Sequence, residues 1–234
     1  MKTNKATVQP VQQSRVERLR WRIIDAAQEV SIERARYLTQ AMRAHWDKDP
    51  LTRMSLALEH ILAHIGIVIR DDELIVGCRT EKLKGAPLFP ENKSKWIEGD
   101  LESFDCRVLQ RALINEEEKR ELREEILPFW QGRTVEDRLA GLLPADVAED
   151  MDKYIFTMML EITYGIGHFT MNHTRVLKYG LSGIIREASE RLQRLPSAQR
   201  EGEQGRFYEA VIRSLKAAVS FVGRYASKAA FMRP

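Results

Sequence analysis

The sequence of this 234-residue chain predicts a mainly α-helical fold with one small pair of β-strands. Apolar residues recur at three- and four-residue steps in most of the chain, as they do on one face of a helix. The most regular of these patterns runs from Phe207 to Tyr225 and has nearly heptad spacing. β-Branched residues are instead concentrated at 67–77, where two short apolar runs enclose the polar residues 70–73, and this pattern predicts the strand pair.

Composition and charge exclude extensive disorder and a membrane-spanning helix. Hydrophobic residues make up 44% of the chain and charged residues 30%, far from the composition of disordered segments. A transmembrane helix needs ~20 consecutive apolar residues, whereas the longest apolar run here extends only from Ile65 to Ile69. The 37 basic and 34 acidic residues are interspersed, as at 116–125, which is typical of solvated helix faces. We therefore expect neither a membrane nor a nucleic acid as a partner.

The N-terminus and the cysteines indicate a cytoplasmic protein. Residues 1–14 contain lysines with no apolar segment behind them, so they do not form a secretory signal. We expect a flexible N-terminus over 1–14 and one helical region over 15–234. Cys78 and Cys106 are far apart and have no CxxC companion, so free thiols in a reducing compartment are expected.

The first half of the chain is expected to contain three amphipathic helices, at about 16–27, 31–43 and 54–65. Ser31 is expected to cap the second helix, because a serine side chain can accept hydrogen bonds from the free N–H groups of a first turn. Asp49-Pro50 separates the second helix from the third. The proline-containing segment 85–90 is expected to be an irregular loop, where a functional residue could lie.

In the second half, further helices are predicted between breaks at prolines and glycines. Acidic residues after Asn115 favour a helix start, and Pro128 is expected to end that helix. Gly165 and Gly167 are expected to interrupt the next helix. The helices are placed at about 116–128, 152–163, 176–192 and 207–225.

Two histidines, His60 and His64, have the spacing at which adjacent turns of a helix can bind one metal ion. No third ligand stands nearby in the sequence, so one exposed histidine and one at the edge of the core is the favoured interpretation, and no metal site is assigned. The phosphate-binding motif GxxxxGK[ST] and the nucleophile motif GxSxG do not occur.

Residues 165–173 are the segment richest in chemical groups. The two glycines of this segment break the helix, so His168 can lie in a cavity, where an imidazole can bond a substrate hydroxyl or transfer a proton. On residue types alone, a structural loop histidine is the commoner interpretation. The segment is therefore a candidate site that needs a second line of argument.

Five segments, of which 167–172 is one, follow one another along the chain. They are Ser31-Ile-Glu-Arg-Ala-Arg36-Tyr-Leu-Thr, Asp72-Glu-Leu-Ile-Val-Gly77, the loop of Pro87 and Pro90 with Phe89-Pro-Glu91, Gly167-His168 with Asn172, and Val176-Leu-Lys-Tyr-Gly-Leu-Ser-Gly-Ile-Ile185. In this succession the chain resembles the N-terminal part of glycyl radical enzymes of the pyruvate formate-lyase-like branch. That branch includes glycerol and diol dehydratases, choline and isethionate lyases and arylacetate decarboxylases.

The resemblance implies a large α/β enzyme with a ten-stranded barrel, around which this helical region wraps to form one wall of the active site. His168 matches the histidine that contacts a substrate hydroxyl in the diol and glycerol dehydratases. Leu160, Thr163 and Tyr164 match positions that line the pocket, and Asn172 follows the Gly-His element. The mostly apolar character of the three lining positions departs from members that have Arg, Asp or Asn there, which argues against a strongly anionic or quaternary-amine substrate.

The resemblance assigns no catalytic residue and no bound cofactor to these 234 residues. Family members carry a thiyl-forming cysteine next to a glutamate and, near the C-terminus, a glycine that holds the radical. Cys78 and Cys106 lie outside that context. The resemblance implies that a radical-SAM activating enzyme installs the glycyl radical elsewhere in a full-length homodimeric enzyme, so the isolated chain is expected to be inactive.

Two functions of different class remain open. The first is the N-terminal part of a glycyl radical lyase or dehydratase that acts on a small-molecule substrate, and it predicts exposed apolar surfaces along 207–225 and around 165–171, where the barrel would pack. The second is a free-standing all-helical binding or regulatory module that dimerises through the last helix and carries a basic recognition helix. The candidate residues of that helix are Arg15, Arg18, Arg20 and Arg22.

Overall fold

The structure is a computed structural model that describes residues 13–153, 155 and 170–232. Most of this described length is helical, which confirms the predicted mainly α-helical fold class. In chain order the helices are α1 (Arg15–Asp25), α2 (Glu33–Ala44), α3 (Pro50–His64), α4 (Lys95–Asp100), α5 (Glu116–Glu121), α6 (Leu127–Trp130), α7 (Val135–Ala140), α8 (Ala145–Asp152), α9 (His173–Arg194), α10 (Ser197–Arg200) and α11 (Glu203–Phe231).

One small sheet is present, as predicted, but its position at 67–77 was wrong. The strands are β1 (Glu29–Ser31) and β2 (Gly85–Pro87), which pair in parallel with Val30 opposite Ala86. Residues 67–77 form an irregular, largely exposed segment, in which Ile75 is 93% exposed. β-Branched residues favour a strand only where a partner strand and a packing surface exist. This segment has no partner strand among the described residues, although residues 67–70 are half-buried.

The core lies around α2 and the continuous helix formed by α5 and α6. Buried apolar residues from both helices and from the β1 strand pack together there, among them Val30, Ala35, Leu38, Leu122 and Ile126. Polar contacts support this packing. Arg36 of α2 donates two hydrogen bonds of 2.6 Å to the Glu121 carboxylate, and Trp130 Nε1 donates to the buried Thr39 hydroxyl at 2.8 Å.

Ser31 does not cap α2, contrary to the expectation from sequence. It is the last residue of β1, and its hydroxyl donates a 2.8 Å hydrogen bond to the Glu81 carboxylate. The N-cap position of α2 is Ile32, which has no side-chain cap. The pairing of β1 with β2 therefore fixes the backbone of Ser31 before the helix begins, and its side chain is used for a tertiary contact instead.

Pro128 does not end its helix, although the predicted start at Asn115 is confirmed. The Asn115 side chain accepts a hydrogen bond from Glu118 N at 2.8 Å, and the Glu118 carboxylate accepts one from Asn115 N. Residues 122–126 form a π-helical turn, and Leu127 N donates to Leu122 O across it. This wider turn shifts the hydrogen-bond register by one residue just before Pro128, so the missing N–H group and the ring of the proline are accommodated and the helix continues to Trp130.

Three long helices, α3, α9 and α11, form a second packed layer in which α11 contacts both of the others. Arg224 of α11 donates to Leu62 O at 2.7 Å and to Ile65 O at 2.9 Å. These carbonyls lie at the end of α3, where helix carbonyls lack an intrahelical partner and attract cations. Arg213 adds a 2.8 Å hydrogen bond to the Ser55 hydroxyl. Hydrogen bonds from two positions of α11, 11 residues apart, thus hold this helix against α3.

The apolar seam of α11 is only partly covered by its neighbours. Tyr225 is buried, with 7% exposure, whereas Phe207 is 50% and Val222 60% exposed. Met171, which precedes α9, is 59% exposed. The exposed apolar surface expected along 207–225 is therefore present, except where α11 meets α3 and α9, whereas most of the surface expected around 165–171 lies outside the described residues.

Helix α9 is broken at Gly180, although its apolar spacing predicted a continuous helix. Gly180 has φ 65° and ψ 171°, a conformation that is essentially restricted to glycine. A Cβ atom added at Gly180 would meet no other atom within 4 Å, so the requirement is for backbone conformation and not for space. The kink divides α9 into two segments that run in different directions.

Replacing Gly180 by alanine is expected to lower the free energy of unfolding by about 1–3 kcal/mol, because a Cβ disfavours this backbone conformation. Gly223→Ala is the matched control. Gly223 lies inside α11, and a Cβ added there would also meet no other atom within 4 Å, so alanine is expected to stabilise the chain by about 0.5–1 kcal/mol. Urea unfolding of both variants measures the difference. Equal effects at the two positions would contradict the kinked geometry of α9.

The Arg34–Glu91 ion pair joins α2 to the loop after β2 and is expected to matter for stability. Arg34 Nη2 lies 2.6 Å from Glu91 Oε1, with side-chain exposures of 25% and 19%, and the guanidinium lies 4.3 Å from the centre of the Phe89 ring. Glu91→Ala leaves a half-buried guanidinium without its carboxylate, so a loss of about 2 kcal/mol is expected.

The control for this pair is Glu125→Ala, which removes the partner of Arg43 from a pair whose side chains are 54% and 63% exposed. A loss below about 0.5 kcal/mol is expected there, because solvent screens exposed ion pairs. Thermal unfolding of the two variants tests the prediction. Losses of the same size would show that the Arg34–Glu91 pair is screened as an ordinary surface pair is.

Candidate functional site

Four of the five predicted substrate-binding residues lie outside the described residues. They are His168, Leu160, Thr163 and Tyr164. The fifth, Asn172, is described and lies at the exposed start of α9. The structure therefore gives the geometry of one edge of the predicted site and of the helix that leads away from it.

Asn172 forms the N-cap of α9. Its side-chain oxygen accepts a 2.9 Å hydrogen bond from Arg175 N, which satisfies one of the free N–H groups of the first turn. The side-chain amide group donates no hydrogen bond to a described residue and is exposed to solvent. Asn172 therefore has a structural role through its oxygen and a free donor through its nitrogen.

The first turn of α9 is also held by an ionic contact across the Gly180 kink. The Glu187 carboxylate pairs with Arg175 through one oxygen and with Arg191, at 2.9 Å, through the other. The hydrogen bond from Arg175 is the main reason that the pKa of Glu187 lies below its usual value. The Arg175–Glu187 pair bridges the two segments of α9 and so fixes the direction of its first turn, where Asn172 lies.

The two histidines with metal-like spacing do not form a metal site with each other. Their ring centres are 4.2 Å apart, but His64 Nδ1 lies 2.8 Å from His60 O, and His60 Nε2 lies 3.1 Å from the Gln40 side-chain oxygen. Burial and the neighbouring His64 lower the pKa of His60. Across the described ranges, no group of three His, Cys, Asp or Glu side chains is placed to hold a metal ion.

The N-terminal arginines form intramolecular contacts. Arg18 Nε donates to Asp72 Oδ2 at 2.9 Å, and Arg15 Nη1 donates to Asp72 O at 2.9 Å. Arg22 also contacts Asp72 and the neighbouring backbone. The hydrogen bond from Arg18 lowers the pKa of Asp72. Three of the four arginines proposed for a recognition helix are therefore engaged with one turn of the same chain, which does not favour a DNA-binding role.

A pair of carboxylates, Glu33 and Glu81, lies between α2 and the segment after α3. Gly66 N donates to both oxygens of Glu33, at 3.1 and 3.2 Å, and Glu81 is the neighbouring acid. Burial raises the pKa of Glu33, and the negative charge of Glu81 raises it further. Because Glu81 also accepts the hydrogen bond from Ser31, this pair connects β1, α2 and the segment 66–81 and has a structural role.

The two cysteines occupy different environments. Cys78 is half-buried, and Arg70 Nη1 lies 2.8 Å from its sulfur. Cys106 is exposed, and the adjacent Asp105 raises the pKa of its thiol. A raised pKa reduces the thiolate fraction, so Cys106 is a weak nucleophile.

No helix in the described part of the chain is long and apolar enough to cross a membrane.

A cleft of about 670 Å³ lies between the α2–α3 turn and the α6–α7 segment. Its lining contains three arginines, Arg53, Arg133 and Arg138, beside Trp46. The amino-acid sequence does not indicate that these three arginines lie together, because they come from segments far apart in the chain and each stands among mixed charges. A one-dimensional charge pattern carries no signal for such a cluster.

Comparison with known proteins gives a consistent family. The model of the pyruvate formate lyase-like family matches residues 6–233. (2S)-3-sulfopropanediol dehydratase of Klebsiella oxytoca is 30% identical over 220 residues, which is 92% of this chain and 27% of that protein. Isethionate sulfite-lyase of Desulfovibrio desulfuricans is 29% identical over 221 residues, 91% of this chain and 27% of that protein. The chain thus spans just over a quarter of the length of these relatives.

Solved structures show the same fold. The glycerol-bound form of the B12-independent glycerol dehydratase from Clostridium butyricum matches with a TM-score of 0.85 and 32% identity, over 97% of this chain and 29% of that one. Hydroxyproline dehydratase from Clostridioides difficile, with trans-4-hydroxy-L-proline bound, matches with a TM-score of 0.78 and 26% identity, over 93% of this chain and 28% of that one. The family model extends over nearly the whole sequence, and on that ground the chain belongs to the pyruvate formate lyase-like family of glycyl radical enzymes.

Proposed function

We propose that this chain forms the N-terminal part of a glycyl radical lyase or dehydratase that cleaves a C–O, C–S, C–N or C–C bond of a small organic substrate. The observation that carries the proposal is the uninterrupted family match over residues 6–233, together with relatives whose names are those of dehydratases and a sulfite-lyase. Exposed apolar side chains on α9 and α11, such as Leu177 and Val222, are surfaces against which the rest of a barrel can pack.

Within that function, His168 is proposed as the contact to a substrate hydroxyl, and Leu160, Thr163, Tyr164 and Asn172 are proposed to line the pocket. Asn172 supports this arrangement because its capped position leaves an amide donor free at the exposed start of α9. Apolar lining side chains would exclude water from the substrate, which radical chemistry requires. The role of this chain is therefore to bind and orient the substrate.

The reactive group is proposed to lie outside these 234 residues. A glycyl radical installed by a radical-SAM activating enzyme supplies hydrogen-atom abstraction when it is present. The partners of this chain are then the rest of the barrel, a second copy of the full-length enzyme in a homodimer, and the activating enzyme. Binding, orientation and water exclusion are the contributions left to the residues of this chain.

The first test replaces His168 by alanine in the complete enzyme that contains these residues, after anaerobic activation. The glycyl radical signal in electron paramagnetic resonance is expected to be unchanged, while kcat/KM falls about 100-fold, because an imidazole that bonds or protonates the substrate contributes that much. Glycerol, propane-1,2-diol, isethionate and trans-4-hydroxy-L-proline form the substrate panel.

The control for this test is His173→Ala, which removes an exposed imidazole from the first turn of α9. It is expected to leave kcat/KM within about twofold, as for an exposed side chain away from special contacts. Equal activity of the two variants would remove the proposed role of His168. Absence of any radical after activation of the unaltered enzyme would overturn the assignment as a glycyl radical enzyme.

The second test separates the structural role of Asn172 from its proposed binding role. Asn172→Ser keeps a good N-cap and removes the amide donor, so stability is expected to stay within about 0.5 kcal/mol while KM for the substrate rises. Asn172→Ala loses the cap as well and is expected to cost about 1 kcal/mol of stability. Denaturation and steady-state kinetics on the same preparations give both quantities. An unchanged KM in Asn172→Ser would restrict Asn172 to its capping role.

A further inference from the structure

The arginine-lined cleft carries positive charge that no carboxylate of the described residues neutralises. Arg53, Arg133 and Arg138 form no ion pair in that part of the chain. The one acid in the lining is Glu91, and its charge is compensated by Arg34 at 2.6 Å. The cleft therefore has an excess of positive charge, which attracts anions.

Two of these guanidinium groups are held in place while most of their donors stay free. Arg53 Nη1 donates to Trp46 O at 2.9 Å, and the central carbon of its guanidinium lies 4.3 Å from the Trp46 ring centre. Arg133 Nη1 donates to Phe129 O at 2.6 Å and lies 5.1 Å from the Phe129 ring. A guanidinium has five N–H donors in a rigid plane, so each keeps further donors for an oxyanion. Such pre-orientation lowers the entropy cost of binding.

Most of the other residues that line the cleft are apolar. Leu38, Met42 and Trp130 are buried beneath it, and Trp46 and Met54 lie at its exposed edge. Trp130 is fixed by its hydrogen bond to Thr39 and packs edge-on to Trp46, with ring centres 6.5 Å apart. A volume of about 670 Å³ is in the range of pockets that hold small organic ligands.

We propose that this cleft binds a small organic anion, in which a carboxylate or phosphate group is attached to an apolar body. The oxyanion is bound by Arg133 and Arg138, with Arg53 beside it, and the apolar body contacts Trp46 and Met54. The site is built from α2, α3 and the α6–α7 segment, and the proposal uses none of the residues to which substrate binding is assigned. It stands whether or not that assignment holds.

Titration of the 234-residue chain with phenyl phosphate and, separately, with benzoate tests the proposal. Trp46 and Trp130 provide an intrinsic fluorescence signal, and phenol serves as the uncharged analogue. Saturable quenching by at least one of the two anions, but not by phenol at the same concentration, is the expected result. The anion that binds more tightly distinguishes a phosphate site from a carboxylate site. Raising NaCl from 50 to 500 mM, about a threefold change in Debye length, is expected to weaken binding.

Arg133→Gln and Arg138→Gln are each expected to raise the Kd about tenfold, since a charge-assisted hydrogen bond to an oxyanion is lost. Both arginines are exposed, so the fold is retained. Arg79→Gln is the matched control, because Arg79 is also exposed and lies outside the cleft. An equal loss in Arg79→Gln, equal binding of phenol, or no saturable binding of either anion would each overturn the proposal.

Discussion

The arrangement of the long helices depends on the hydrogen bonds that the last carbonyl groups of α3 accept. Arg224 donates to two carbonyls at that end, and in doing so it joins residues that are about 160 positions apart in the chain. Lys228 extends the contact to Ile67 O. Because the carbonyls of a helix C-terminus have no intrahelical partner, this contact is both favourable and specific in position. It sets where α11 lies, and α11 in turn positions α9.

The arginines of α11 that donate hydrogen bonds to α3 and the apolar residues of α11 have different effects on the position of this helix. Hydrogen bonds from Arg213 and Arg224 fix the register of the helix against α3, whereas Phe207 and Val222 on the same helix stay exposed. An apolar side chain packs almost equally well in several registers, but an arginine bonded to a named carbonyl does not. The helix can therefore hold one position while part of its apolar surface stays exposed.

The features that sequence predicted are those set by neighbours in the chain. The long helices α2, α3, α9 and α11 followed from apolar spacing, and the cap at Asn115 followed from the acidic residues after it, whereas most of the helix predicted at 152–163 lies outside the described residues. Two errors have different causes. Ser31 belongs to β1 and donates its hydroxyl hydrogen bond to the distant Glu81, so it does not cap α2. Pro128 is accommodated by the π-helical turn that precedes it, so it does not end the helix. The resemblance predicts the segment of the candidate site, and that stays a prediction, while the arginines around Trp46 required the fold to bring three distant segments together.

Helix α3 links the arginine-lined cleft to the layer that supports α9. Arg53 and Met54 of its first turns line the cleft, while Ser55 bonds to α11 and the last carbonyls hold Arg224. Residues on different faces of one helix share a rigid backbone, so a ligand in the cleft can affect α9 only by moving α3 as a body. Such movement would have to break the contacts of Arg213 and Arg224 together. We therefore expect a ligand bound in the cleft to leave the geometry at Asn172 unchanged. A change would require a ligand whose binding free energy offsets the loss of these hydrogen bonds.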